Sequence, residues 1–351
     1  MSMSVNLDMR LSEFKNKLNS ELKNKKIVIW GAGVCAMKFL EKLDGNDSFI
    51  KYYVDVSEEK WNTMVDGCEV KSPDYLWSDL SIDVVIIATM YLKEVIDELE
   101  KKKWDGQVFS AFHMVYREEQ LDYHPLEEHL EDVIGMLCDE KSKANVQFIL
   151  EHRKDMNLDY SEIYEPNQYF VQGIVKKDPY AVFVDGGSYH GETIDEFMVF
   201  QNGVFDKVYA FEMDAQNYAV MCEKKYDKRV ETLRYGLWDE KKDITYTSED
   251  TSSCISGKGD LIAKCIPLDD VIGNQKISFI KMDIEGAEMK ALYGAEKCIK
   301  RCKPQLAICI YHKADDIYEI TNLIHTWLPK HKLYIRHHSC TFTETVLYAV
   351  P

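Results

Sequence analysis

No stretch of this sequence is apolar over the roughly 20 residues that a bilayer-spanning helix needs. Residues 1–26 are polar and helix-like, without the apolar centre of a secretory leader. Retention in the cytoplasm, with no membrane insertion, is the expectation. Basic charge is also in short supply. Lys and Arg total 43 against 60 Asp and Glu, a formal net charge of −17. That balance argues against nucleic acid or an anionic membrane as a partner, because both reward a basic surface. Zinc-ligand pairs are lacking too. Cys298 and Cys302 lie one helical turn apart, but no second Cys or His pair completes a zinc set, so no metal is assigned. The other cysteines lie mostly among apolar neighbours and read as buried free thiols. No internal repeat and no low-complexity linker is visible. The chain does have 351 residues, 46% of them hydrophobic, enough for two ordinary globular domains.

The chemistry is organised around Phe183-Val184-Asp185-Gly186-Gly187-Ser188-Tyr189-His190-Gly191-Glu192-Thr193. An apolar run enters it as a buried strand, and helical spacing leaves it. Strand, glycine turn, helix is how an open parallel sheet makes a ligand site at its carboxyl edge. The spacing is D-x-G-x-x-x-G. An acidic strand end suits a ligand with positive charge, whereas a pyrophosphate prefers bare N–H groups at a helix start. S-adenosylmethionine has an ammonium and a sulfonium, and no phosphate. The next strand, 207–211, ends in Glu212 followed by Met213, the position for a carboxylate that accepts from ribose hydroxyls. A third strand ends in Gly236-Leu237, where glycine lets a flat base approach the backbone. The expected cofactor set is Asp185, Gly186, Gly187, Ser188, Gly191, Thr193, Glu212, Met213, Gly236, Leu237 and Asp283. Tyr169 is added to it, either folding over the cofactor or packing beneath the sheet.

A second glycine turn lies near the N-terminus. The strand 26–30 leads into Gly31-Ala32-Gly33-Val34-Cys35-Ala36, and the strand 50–54 ends in Asp55. Gly31, Gly33 and Asp55 form a possible nucleotide site in a Rossmann-like unit. The other reading is a scaffold that keeps its glycines for helix–strand packing. Two helices over 126–137 and 141–156 read as connecting the domains. The loop 251–254 is small and polar and is placed near the ligand. Asp269 and Asp270 read as helix caps. Glu288 reads as an anion favoured by a helix start.

The later segments Ile280-Lys281-Met282-Asp283-Ile284-Glu285-Gly286-Ala287-Glu288 and Ile310-Tyr311-His312-Lys313 complete a series. With the turn at 183–193, Y-A-F-E-M-D, G-L-W-D, P-L-D-D, Y-I-R-H-H-S and T-V-L-Y, they resemble the FkbM family of S-adenosylmethionine-dependent methyltransferases over about residues 165–351. The chain departs from the usual family pattern at Met213, where proline is common, and at Tyr189. The N-terminal unit resembles the nucleotide-sugar-binding domains found beside sugar acyltransferases. These resemblances imply an α/β protein. A Rossmann-like parallel-sheet domain spans 1–113 and a helical connector 114–164. A class I methyltransferase domain follows over 165–351, doubly wound, with an antiparallel last strand. They also imply O-methylation of a sugar hydroxyl in a glycan, glycolipid or nucleotide-sugar.

A sugar hydroxyl is a poor nucleophile, so a base or a metal has to help. Asp283, Glu285 and His312 come from adjacent strand ends and can converge. The expectation is His312 as base with Asp283 orienting it. A divalent cation held by the same three residues is the weaker alternative. An NAD-linked nucleotide-sugar oxidoreductase working from Gly31, Gly33 and Asp55 would need a catalytic pair such as Tyr-x-x-x-Lys, which is not recognisable here. A non-catalytic nucleotide-sugar-binding module is a third reading, opposed by the intact Asp185, Gly187, Gly191 and Glu212. The sequence leaves the acceptor, the N-terminal ligand and any homo-oligomer open.

Overall fold

The computed structural model describes the chain except residues 1–3, 7–8, 44–48, 117–119, 156, 250–251 and 256–260; for 4–5, 247–249 and 252–255 it describes the backbone alone. Two compact units divide at Leu121/Asp122. In the first, strands β1 (Ser4–Asn6), β2 (Ile27–Trp30), β3 (Ile50–Val54), β4 (Met64–Val65), β5 (Cys68–Lys71), β6 (Val84–Ile87) and β7 (Gln107–Ser110) form one sheet. Its order is β1-β7-β6-β2-β3-β5-β4, and every pairing is parallel except β4 with β5. The strand order reverses beside β2, as in a doubly wound sheet. Fully buried runs such as Ile27–Trp30 and Val84–Ile87 are what a parallel sheet covered on both faces requires. Strand β1 was not expected, since the polar N-terminus carries no strand pattern.

In the second unit, β8 (Val182–Gly186), β9 (Lys207–Phe211), β10 (Val230–Leu233), β11 (Gly236–Leu237), β12 (Lys242–Glu249), β13 (Ser252–Ile255), β14 (Leu261–Ile266), β15 (Phe279–Met282), β16 (Gln305–Cys309), β17 (Lys332–His337) and β18 (Thr345–Val350) follow in order. The main sheet runs β10-β9-β8-β15-β16-β18-β17. Strand β18 is antiparallel to both neighbours and the other pairs are parallel. This is the architecture the family resemblance implies. A smaller sheet, β11-β14-β12-β13, extends from it. The expected loop at 251–254 is mostly strand: Ser252–Ile255 pairs with β12, and residue 251 lies outside the described residues.

The helices expected to connect the domains belong to the second unit. Ser142 Oγ accepts the Ile335 N–H, and Asn145 donates to the Ile335 carbonyl, so the helix Glu140–Asp155 is bound to β17. Sequence polarity hid this because polar side chains make the contact. A cluster of phenylalanines under β8 holds the glycine turn in place, with the rings of Phe183 and Phe197 stacked at 4.4 Å. Asp269 caps a neighbour rather than its own helix: it accepts from the N–H groups of Lys297 and Cys298. No helix among the described residues is long and apolar enough to cross a membrane.

Candidate active site

The turns after β8, β9 and β15 and the segment around β11 enclose a cleft of about 730 Å³, its open mouth included. Gly187 and Tyr189 come from the first turn, Glu212 and Met213 from the second, Gly236 and Leu237 from β11, and Asp283 and Glu285 from the fourth. Gly187 has φ +76°, and a Cβ there would lie 1.9 Å from the Asp283 carbonyl oxygen. Only glycine lets these two turns meet.

At one end stands Glu212. Its two carboxylate oxygens accept the backbone N–H groups of Tyr189 and Asp214, each at 2.8 Å. Each oxygen keeps a further lone pair for a ligand. Burial pushes its pKa up to about 7, the two N–H groups pulling the other way. Apolar walls from Phe211, Leu237 and Ile244 flank it.

At the other end the turn after β15 supplies Asp283 and Glu285. Glu285 holds φ 55°, a left-handed conformation that costs a non-glycine residue energy and gathers at functional sites. His312 stands behind this pair, 8% exposed. Its Nε2 lies 3.6 Å from both Asp283 Oδ1 and Glu285 Oε2, and its Nδ1 lies 3.1 Å from Glu288 Oε1. Burial works against a charged ring, but Glu288, Asp283 and Glu285 outweigh it and push the pKa up to about 10. These carboxylates favour the charged ring, which works against the role of base expected of His312. Burial pushes Glu285 up to about 7, with His312 opposing. Asp283 stays below the usual carboxylate range: burial opposes its charge, and Lys281, His312 and the Tyr169 hydroxyl outweigh burial.

Several expected residues stand elsewhere. Asp185 is fully buried and faces Lys281 Nζ at 3.2 Å, so its charge is balanced inside the protein rather than offered to a ligand. Lys281 also donates to the carbonyls of Gly186 and Gly187, at 3.1 and 2.6 Å. The Ser188 hydroxyl donates to the Asp185 carbonyl, and Thr193 is buried in the helix that follows. Gly191, at φ +89°, starts that helix and its carbonyl accepts from Tyr226 Oη. Gly186, Ser188, Gly191 and Thr193 thus build the turn and do not line the cleft. Tyr169 packs beneath it, its hydroxyl donating to Asp283 Oδ2 at 2.7 Å. Lys281 and the burial of Glu288 escaped the sequence reading. A lysine inside an otherwise apolar strand was the available signal for Lys281. Glu288 does open the helix Glu288–Tyr293, as read, but it is completely buried against His312, and its Oε1 accepts the Ile284 N–H.

In the first unit Gly31 has φ +111°, and a Cβ there would lie 2.5 Å from the Ala88 carbonyl oxygen. Asp55 braces this turn: Oδ2 accepts the Ala32 N–H and faces Lys60, and Oδ1 accepts the Ser57 N–H. Lys60 adds a charged partner that Glu212 lacks among the described residues, while Oδ1 keeps a further lone pair. A Cβ at Gly33 would meet nothing within 4 Å, so packing does not demand that glycine.

Residues 185–337 match the family model of the methyltransferase FkbM domain, and residues 23–106 match the model of the C2185-like N-terminal domain. No curated protein matches the chain. Among solved structures, methyltransferase FkbM from Methylobacillus flagellatus KT is similar at 21% identity, with 96% of this chain and 92% of that one covered and a TM-score of 0.69. An rRNA methylase from Streptococcus thermophilus is similar at 17% identity over 49% of this chain and 87% of that one, TM-score 0.31. The fibrillarin of Aeropyrum pernix, solved with natively bound S-adenosyl-L-methionine, is similar at 7% identity over 52% and 73%, TM-score 0.34. The family model over the cleft-bearing residues and the long match in fold agree: residues 185–337 match a methyltransferase FkbM domain, and the fold is shared along nearly the whole chain.

Proposed function

We propose that the chain transfers a methyl group from S-adenosylmethionine to a hydroxyl of a sugar-containing acceptor. The observation behind this is one cleft with Glu212 at one end and Asp283 and Glu285 at the other. The ribose hydroxyls donate to the free lone pairs of Glu212. Leu237 and Ile244 flank the adenine, and Gly236 lets it approach the backbone. The sulfonium then points toward the acidic end, where its charge is favoured. Carboxylates at that end accept from neutral hydroxyls and repel phosphate, which suits a sugar and opposes a nucleic acid backbone.

Methyl transfer needs in-line approach of the acceptor oxygen to the methyl carbon. Glu285 takes the hydroxyl proton because it lines the cleft and its side chain reaches the open end. The new O–C bond forms as the C–S bond breaks, and S-adenosylhomocysteine leaves with the electron pair. Asp283, fixed by Tyr169, orients the acceptor. Calorimetric titration with S-adenosylmethionine and with NAD tests the cofactor assignment. Binding of NAD alone would overturn it in favour of an oxidoreductase working from Gly31, Gly33 and Asp55.

Glu212 makes cofactor binding pH-dependent. Its ionised form is the better acceptor for two hydroxyls, so binding favours loss of its proton. Affinity then falls as pH drops through about 7. Glu212→Gln removes charge from two hydrogen bonds, each worth about 1.5–3 kcal/mol to a charged group. Affinity at pH 8 is expected to fall at least about tenfold, with the pH dependence flattened. A variant that binds as the wild type does at pH 8 and pH 6 contradicts the ribose assignment.

The cleft draws all its lining residues from the second unit. A chain beginning at Asp122 is therefore expected to keep wild-type affinity for S-adenosylhomocysteine. A folded truncated protein, verified by circular dichroism, that no longer binds it would assign part of the site to the first unit.

A further inference from the structure

The acidic end of the cleft holds more buried carboxylate than one imidazole balances. Asp283, Glu285 and Glu288 all face His312, and Lys281, which also favours the charge of Asp283, makes its own contacts with Asp185 and two carbonyls. Asp283, Glu288 and His312 each present one donor atom, and the three atoms lie within 4.8 Å of one another. Glu288 supplies an independent sign. The residue is completely buried, its Oε1 is engaged, and its Oε2 has no hydrogen-bond partner. An ionised carboxylate oxygen left that way is costly to bury. Neither nitrogen of the buried His312 ring has an aligned hydrogen bond.

His312 faces Asp283 with Nε2 at 3.6 Å and Glu288 with Nδ1 at 3.1 Å, so an ion would take one ring nitrogen and one oxygen of each carboxylate inside the 4.8 Å spread. Donors about 2.1 Å from an octahedral ion sit roughly 3.0 Å apart when adjacent and about 4.2 Å apart when opposite. His312 Nε2 stands 3.6 Å from Asp283 Oδ1, too far for a hydrogen bond and within that interval. Asp283 lines the cleft, so an ion has a path in.

We propose that Asp283, Glu288 and His312 bind one divalent cation at the acidic end of the cleft. Two carboxylates and an imidazole select an ion that accepts both oxygen and nitrogen, such as Mn²⁺, over one restricted to oxygen. Binding takes the lone pair of His312 and so releases a ring proton. The role of the ion rests on the methyl-transfer reading: beside Glu285 it polarises the acceptor oxygen and makes its proton easier to remove. The existence of the site does not depend on that reading.

The test is titration of the full-length chain with Mn²⁺, followed by the electron paramagnetic resonance signal of the free ion. S-adenosylhomocysteine affinity is measured by calorimetry on the same preparation. The expected result is one Mn²⁺ per chain, weakened at least about tenfold in Glu288→Gln and in His312→Gln. Should one variant fail to fold, the other and the wild-type stoichiometry still decide. Wild-type protein that binds S-adenosylhomocysteine but no stoichiometric Mn²⁺ overturns the cation site alone. Stoichiometric Mn²⁺ with no S-adenosylhomocysteine binding supports the site and overturns the methyl-transfer reading. Mn²⁺ binding unchanged in folded variants places the ion elsewhere and overturns the assignment.

Discussion

Glu285→Gln is expected to lower turnover about 10²–10⁴-fold, the range for loss of a positioned proton acceptor. Glutamine keeps the length and shape of the side chain, and it meets the same left-handed backbone at φ 55° that glutamate does. It cannot take a proton. S-adenosylhomocysteine affinity is expected to stay close to wild type, because the ribose contact proposed for Glu212 lies at the far end of the cleft. The loss therefore belongs in the rate constant and not in KM for the cofactor. Single-turnover release of S-adenosylhomocysteine, with an acceptor the wild type methylates, measures it. Normal turnover in Glu285→Gln would remove Glu285 as base and leave positioning as the source of rate. Turnover lost together with cofactor affinity would instead make the residue part of the cofactor pocket.

The charged surroundings of His312, on which the proposal of Glu285 as base rests, were not legible in the sequence, and the reason is electrostatic. The order of strands put Asp283, Glu285 and His312 at one sheet edge, and the structure brings them together there. What the order does not reveal is which way a buried imidazole settles among carboxylates. That depends on Glu288, a residue indistinguishable in sequence from an anion at a helix start. Glu212 was legible because the end of the strand after the glycine turn has a fixed geometric meaning in an open sheet. Gly187 was legible for the same reason, and its clash distance to Asp283 gives the meaning a number. Asp55 stands in the equivalent place in the first unit, yet it braces its own turn through Ala32 and Ser57. Glu212 takes two backbone N–H groups in the same way, from Tyr189 and Asp214, so the backbone does not separate the two; the lysine beside Asp55 and the cleft beside Glu212 do, and both are three-dimensional facts. The attachment of the helix Glu140–Asp155 to β17 was hidden for a related cause: it includes Ser142 and Asn145, and polar contact leaves no hydrophobic pattern.

Asp185 and Lys281 carry the same point into stability. Lys281 is 1% exposed and lies within the sheet, with its ammonium against Asp185 and the carbonyls of Gly186 and Gly187. Burial works against its charge, but Asp185 and Asp283 outweigh burial and raise its pKa above the ordinary lysine value. Lys281→Met fills similar space and leaves Asp185 as an uncompensated buried charge. Removing one partner of such a pair costs about 3–5 kcal/mol. In a domain of this size about 1 kcal/mol moves Tm by roughly 2–4 °C, so a fall of about 6–20 °C is expected in thermal unfolding. The glycine-turn carbonyls lose their donor in the same step. Asp185→Asn combined with Lys281→Met removes the stranded charge but not the stranded carbonyls. The double variant is therefore expected to recover part of the loss and not all of it. Full recovery would mean that the ion pair alone matters and that the carbonyl contacts contribute nothing. A Lys281→Met protein within about 1 kcal/mol of wild type, inside the ordinary scatter of single substitutions, would mean that Asp185 takes up a proton at little cost. The acidic residue of the glycine turn would then be neutral in the variant, and the loss of stability would come from the stranded carbonyls alone.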